Sequence, residues 1–305
     1  MTPGGGEASA ESIRHRLRNA VRARGHDVQF ALQRYAAERW LYRLARSPHR
    51  DRFILKGAML FEIWGGSLYR PTRDLDFTAY GSDDTADLLA ALRDICIVPV
   101  EDDGLIFDAN TLSAEPIRDQ AEYRGLRVRF EARMGASRVP MQIDLGFGNA
   151  IQPPPQEVEY PTLLDTPPPV IRAYPKEAVV AEKLHAMVVL GERNSRLKDF
   201  YDLYVLASSF AFDGPTLACA IRATFERRDT AIELQTPTAL TDRFFEDVAR
   251  GSHWRGYLDR NRLSDAPGSF EQVGAVLIGY LEPARGSVAQ GTPFPAHWEP
   301  GGPWH

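Results

Sequence analysis

The chain has 305 residues, 44% of them hydrophobic and 25% charged, an ordinary globular composition with room for two lobes. No apolar run reaches the ~18 residues a membrane-spanning helix needs, which excludes such a helix. The net charge of −5 argues against a protein that coats DNA by charge alone.

That charge is unevenly spread. Residues 1–52 hold eleven arginines and five acids, a balance of +6, so the remaining 253 residues carry −11. One region therefore suits a polyanion and another suits acidic or metal-binding chemistry, unless the arginines only solvate an amphipathic helix. The first residues lack the charged-then-apolar order of a signal peptide. Cys96 and Cys219 are the only cysteines and have no metal-ligand spacing, so neither a disulfide scaffold nor a zinc ribbon is expected. A reduced, cytoplasmic protein is the simplest expectation.

In chain order, residues 1–10 are Gly-rich and expected to be disordered. Ser12 to Arg24 predicts a helix with Ile13, Leu17 and Val21 on one stripe and arginines on its other faces. A second helix is expected from Asp27 to Arg46, ending before Ser47-Pro48. Phe53 to Trp64 is apolar enough for a buried helix or strand, and Gly65-Gly66 breaks it. Thr72 to Tyr80 alternates, with Leu75, Phe77 and Ala79 on one side and Asp74, Asp76 and Thr78 on the other. That pattern predicts a half-buried strand displaying its acids on one face. Thr85 to Arg93 reads as a short helix. Gly125 to Arg133 and Val139 to Leu145 alternate again, as antiparallel neighbours in a sheet do.

Residues 152–175 contain eight prolines, which points to an extended crossing between two lobes. Helical patterns follow at Lys176 to Leu190 and Leu197 to Ser208, with weaker ones to about residue 281. The tail over 283–305 is rich in Gly and Pro and expected to be disordered. The fold class is therefore α+β. A mixed-sheet lobe with basic N-terminal helices over 11–151 is followed by the crossing and a mostly helical lobe over 176–282.

The chemistry centres on Asp74 and Asp76. Two positions along one strand places their carboxylates on one face, ~7 Å apart at the backbone. Such a pair repels itself unless a cation lies between, and hard divalent ions such as Mg²⁺, or Mn²⁺ in its place, take carboxylate and phosphate oxygens. The alternative is a strand edge with solvated acids. Asp144 adds a third carboxylate, because Met141, Ile143 and Leu145 would face the core and Asp144 the other side. Three carboxylates suffice for two metals ~4 Å apart that hold a triphosphate and activate an attacking hydroxyl.

Ala178 to Leu190 is too apolar for a one-sided helix, so Lys183 needs an anion or a path to solvent. A nucleotide phosphate, a pairing with Asp199 or Asp202, and snorkelling all satisfy it. Asp199 and Asp202, three apart, share one helix face, with Asn194 or Ser195 as the cap. They position Lys183, contact substrate, or pair with Arg193, Arg196 and Lys198. His185 has no second histidine at metal spacing and reads as a core residue.

The ordered stretches LKGAMLFEIWGG, RPTRDLDF, QIDLGFG, YPTLLDTPPPVIRAYPKEAVVAEKLHAM and RNSRLKDFYDLY resemble the AbiEii/AbiGii nucleotidyltransferase toxin family. That family includes the MenT enzymes and has the polymerase-β-like nucleotidyltransferase fold; the likeness covers roughly residues 50–210. It implies a nucleotidyltransferase-type sheet lobe followed by a helical lobe. Gly57 stands at the nucleotide-binding glycine, Asp74, Asp76 and Asp144 at the metal carboxylates, and Lys183 at the essential lysine. The segment holding Asp199 and Asp202 stands at the final acidic motif. Gly57-Ala58 departs from the usual Gly-Gly or Gly-Ser, which removes one phosphate contact that Thr72 would have to replace.

The resemblance further implies a toxin of a toxin–antitoxin or abortive-infection system. Such a toxin has an NTP substrate, an RNA acceptor such as a tRNA 3′ end, and a separately encoded antitoxin. The N-terminal arginines would suit the RNA backbone. Two alternatives stay open: a catalytically silent nucleotide-binding module acting through a protein partner, and a metal-dependent nuclease.

Overall fold

The computed structural model describes residues 5–22, 27–65, 72, 74–117, 125–148, 150–263 and 266–305. The chain divides into two compact units, one of residues 1–68, 72–148 and 156–173, the other of 69–71, 149–155 and 174–305.

The first unit opens with helices α1 (Gly5–Arg22) and α2 (Val28–Arg46), followed by strand β1 (Phe53–Lys56) and the short helix α3 (Leu60–Gly65). Strand β2 (Asp74–Ala79), helix α4 (Thr85–Cys96) and the long strands β3 (Ile106–Ile117), β4 (Gly125–Met134) and β5 (Ser137–Phe147) come next. Strands β6 (Gln156–Glu159) and β7 (Val170–Ala173) complete it. The seven strands make one mixed sheet in the order β3-β4-β5-β2-β1-β7-β6. Its centre is β2, parallel to β5 on one side and antiparallel to β1 on the other.

The expected alternation decides which face is covered. Leu75, Phe77, Val128, Phe130, Ile143 and Leu145 are all buried. Trp40 of α2 meets Phe77 at 5.7 Å between ring centroids, and Phe53 meets the same ring at 6.1 Å. Asp74, Asp76, Arg127, Gln142 and Asp144 point the other way and stay half-buried.

Helix α2 is also a charged spine. Arg39 and Arg43 reach Asp103 at 3.0 and 2.7 Å, and Arg39 donates to the Pro167 carbonyl at 3.2 Å. Arg34 bridges Glu38 and Glu62, each at 2.9 Å, while Glu38 accepts from the Leu163 amide at 2.9 Å. Burial pushes the Glu38 carboxyl up to about 7, although Arg34 pulls the other way. Buried charges need partners, and here the partners include the proline-rich segment itself.

That segment corrects one expectation. Residues 152–175 contain β6 and β7, and β7 lies inside the sheet beside β1. All eight prolines fall outside the two strands, so no ladder position loses its amide donor. Of the disorder expected over residues 1–10, the part from Gly5 onward is not what the structure has: α1 is helical from Gly5, with Ala10 buried against Gly104. The last residues expected in the first helix (23–24), the break at residue 66, and residues 70, 71 and 73 lie outside the described residues, as do residues 1–4.

The second unit is mostly helical, with α5 (Lys176–Leu190), α6 (Leu197–Ser209), the two-residue strand β8 (Phe212–Asp213) and α7 (Gly214–Arg227). Helices α8 (Asp242–Phe245), α9 (Val248–Asn261) and α10 (Phe270–Gln290) and strand β9 (His297–Trp298) follow. Its core is aromatic: Phe200 touches Phe244, Phe245 and Phe270 at 5.7, 5.8 and 5.3 Å. The tail over 283–305 is ordered. Helix α10 continues through Pro283, β9 pairs with β8, and Trp298 and Trp304 lie against Tyr280 at 4.9 and 5.9 Å. The Trp298 indole donates to the Ala207 carbonyl at 2.7 Å. Gly and Pro set the tail's composition, but two tryptophans set its fate, because their packing on Tyr280 outweighs the entropy of ordering it. Among the described residues no helix is long and apolar enough to cross a membrane.

Candidate active site

Strand β1 ends at Lys56, whose register partner on β2 is Asp76. Gly57 follows with φ +75°, and a Cβ there would fall on the Asp76 Oδ2. Two independent reasons, backbone conformation and space, thus demand glycine where the chain leaves β1 and leans over the carboxylate. Ala58 is buried in the same turn. Across β2, the parallel pairing sets Asp144 beside Asp76 and Gln142 beside Asp74. Neighbouring strands lie ~4.8 Å apart, so Asp76 and Asp144 project from one face as adjacent rungs. Thr72 is half-buried, two residues before β2.

Strand β4 contributes a residue that sequence reasoning missed. Its antiparallel register puts Arg127 directly opposite Asp144. The guanidinium takes both carboxylate oxygens, Nε to Oδ1 at 2.9 Å and Nη2 to Oδ2 at 2.6 Å, while Gln142 donates to Oδ1 at 3.3 Å. The hydrogen bond to Asp144 holds Arg127 above its usual pKa, and the charges of Asp144, Asp74 and Glu115 add to this against partial desolvation. The signal lay in the alternation of GLRVRFEAR, which puts Arg127, Arg129, Glu131 and Arg133 on the same side. Only the strand register singles out Arg127.

Among the described residues, no group of three or more His, Cys, Asp or Glu side chains is arranged to hold a metal ion as it stands. Arg127 occupies both oxygens of Asp144. The donors themselves suit a hard divalent cation, being carboxylates on adjacent strands under a glycine turn. They fit such an ion provided that Asp144 exchanges its partner.

Lys183, Asp199 and Asp202 come together in the second unit. Lys183 on α5 is 2.6 Å from Asp199 and 3.0 Å from Asp202, one turn apart on α6, and Arg196 is 3.9 Å from Asp199. Of the readings open for Lys183, pairing is therefore the one seen in the folded chain. Asn194 accepts from the Arg196 amide ahead of α6, so it shapes the approach and does not cap from the expected position. His185 is buried, 2.9 Å from the Thr230 hydroxyl and 3.0 Å from Arg228. Burial first, and Arg228 second, lower its pKa to about 4. An open cavity of about 530 Å³ in this unit, lined by Val188, Phe225, Ile232 and Arg285 among others, contains none of these acids.

The model of a family described as nucleotidyl transferase AbiEii toxin, type IV toxin–antitoxin system, matches residues 39–276. Among curated proteins there is no match. Two solved Helicobacter pylori structures are similar. One is a candidate nucleotidyltransferase, 16% identical, covering 86% of this chain and 98% of its own, with a TM-score of 0.46. The other is JHP933, 15% identical, covering 85% and 92%, with a TM-score of 0.42.

Proposed function

Since the chain belongs to the AbiEii family of nucleotidyl transferase toxins, we propose that it moves a nucleoside monophosphate from an NTP to the 3′ end of an RNA, with tRNA as the acceptor. The observation that carries this reading is the parallel register that sets Asp76 beside Asp144, next to Asp74 and beneath the Gly57 turn.

In this reading Asp74 and Asp76 hold the divalent cations, Mg²⁺ or Mn²⁺, and Asp144 holds the one nearest the acceptor. A cation bound there offsets charge developing on the phosphoryl group and lowers the pKa of the attacking hydroxyl. The Gly57 backbone leaves room for a phosphate where any side chain would meet Asp76. Lys183 stands for the family's essential lysine, held in place by Asp199 and Asp202. The N-terminal arginines draw the RNA backbone by charge. In the cell, a separately encoded antitoxin counters the activity, as the type IV toxin–antitoxin system in the family's description suggests.

The test is incubation of the protein with total tRNA, Mg²⁺ and each α-labelled NTP in turn. Label on tRNA with the wild type, and none with Asp76→Asn, is the expected result. A fully active Asp76→Asn protein would overturn the assignment. RNA cleavage without NTP, and without pyrophosphate release, would point instead to a nuclease. NTP binding with no turnover on any RNA would indicate a silent binding module.

A further inference from the structure

We propose that Arg127 is an internal counter-ion that holds Asp144 until a divalent cation takes its place, and so sets the cation concentration at which the site becomes competent. This rests on the metal reading of the carboxylates given above.

The geometry is specific. Asp144 is engaged through both oxygens by one guanidinium, in the paired fork arrangement that makes Arg–carboxylate contacts strong. The pair is partly shielded, with Asp144 17% and Arg127 32% exposed, so its attraction is screened less than that of a surface pair. A cation binding Asp144 needs at least one of those oxygens, and a guanidinium left nearby would repel it. Exchange is therefore competitive, and the charge of Arg127 is part of the competition. The half-exposed guanidinium can leave toward solvent without disturbing Leu126 or Val128, which face the core.

Arg127 differs in this from its neighbours. Arg129 pairs with Glu115 at 2.7 Å and Arg133 with Asp108 at 3.4 Å, both away from the acidic trio. Of the strand's arginines, Arg127 is the one whose register partner is a carboxylate of the cluster.

The experiment is Mn²⁺ titration of the full chain, followed by the loss of the free-ion electron paramagnetic resonance signal, so that no activity is needed. Arg127→Met should bind Mn²⁺ about tenfold more tightly than the wild type, equivalent to ~1.4 kcal/mol. In an Asp144→Asn background the same substitution should change affinity far less, because the competition acts through that carboxylate. Arg127→Lys, which keeps the charge but loses the fork, should fall between. Unchanged or weaker binding by Arg127→Met, with a wild-type melting profile, would overturn the proposal and leave Arg127 as a support for Asp144. Equal tightening in both backgrounds would overturn it too, since that is general electrostatics. If neither Asp76→Asn nor Asp144→Asn alters Mn²⁺ binding, the metal reading fails and takes this proposal with it.

Discussion

In the first unit the acids stand on a half-exposed sheet face, and the cation beside them reaches in from a neighbouring strand. In the second unit the acids are buried, with Asp202 1% exposed at its side chain and Lys183 clamped between it and Asp199. The same ingredients, carboxylates and one basic group, therefore serve opposite ends. A partly hydrated pair can exchange partners at modest cost, whereas a buried pair broken on one side leaves an uncompensated charge. The sheet cluster suits reversible binding of a cation and a phosphate. The helical cluster is built to stay put.

Substitutions can test that contrast, and the largest effect should be on activity. Asp76→Asn is expected to lower transfer by ~10³-fold or more while moving stability by less than about 1 kcal/mol, since the amide is nearly isosteric at a half-buried position. Paired activity and urea-unfolding measurements check both halves, and a large stability loss would mean the sheet acids are structural. Asp202→Ala should do the reverse where stability is concerned. It should cost about 2–3 kcal/mol, because Lys183 loses one of the two carboxylates that clamp it, although Asp199 remains. A change within experimental error in the urea midpoint would show that the cluster is open to water.

Opposing pH slopes give the next effect. The folded pKa of Glu38, about 7, lies above its ordinary value of 4.5. Its stabilising contribution is therefore complete below 4.5 and lost as pH rises through 7, by up to roughly 3 kcal/mol. His185 runs the other way, with a folded pKa of about 4 against an ordinary 6.5. Its contribution is present above 6.5 and is lost as pH falls through 4. The two partly cancel in the wild type. Urea midpoints from pH 4 to 8 should rise with pH in Glu38→Leu and fall with pH in His185→Gln; identical profiles would refute both assignments.

A moderate loss of stability, about 1–2 kcal/mol, is expected for Gly57→Ala, which forces a side chain into a left-handed conformation and onto Asp76. Its activity should nonetheless drop sharply, and retention of full activity would show that the turn can move away.

Much of this was readable in the residues themselves. Alternation placed Asp74, Asp76 and Asp144 on one face, and the apolar character of residues 178–190 announced that Lys183 needs an anion or a path to solvent. What alternation could not supply was register. Arg127 and Arg129 look alike in sequence, and only pairing with β5 makes one of them the partner of a catalytic candidate. The proline-rich stretch and the C-terminal tail were misread for a related reason. Composition reports what a segment cannot do locally, but Trp298 and Trp304 are held by Tyr280 and by Ala207, contacts remote in sequence. Glu38 shows the same limit, since its buried state depends on Leu163, 125 residues away.

The parallel pairing of β2 with β5 also bears on when the molecule becomes dangerous to its maker. Strands joined this way meet only after the whole intervening stretch exists, and such distant contacts form late. A nascent chain still short of residue 137 has its Asp74 and Asp76 beside β1 but not the strand that carries Asp144. Even then, β1 gains its outer neighbour only when β7 emerges. A ribosome making this chain thus holds an incomplete carboxylate cluster from Asp76 until Asp144 is added. Any co-translational partner that captured the early strands would act before the third carboxylate existed.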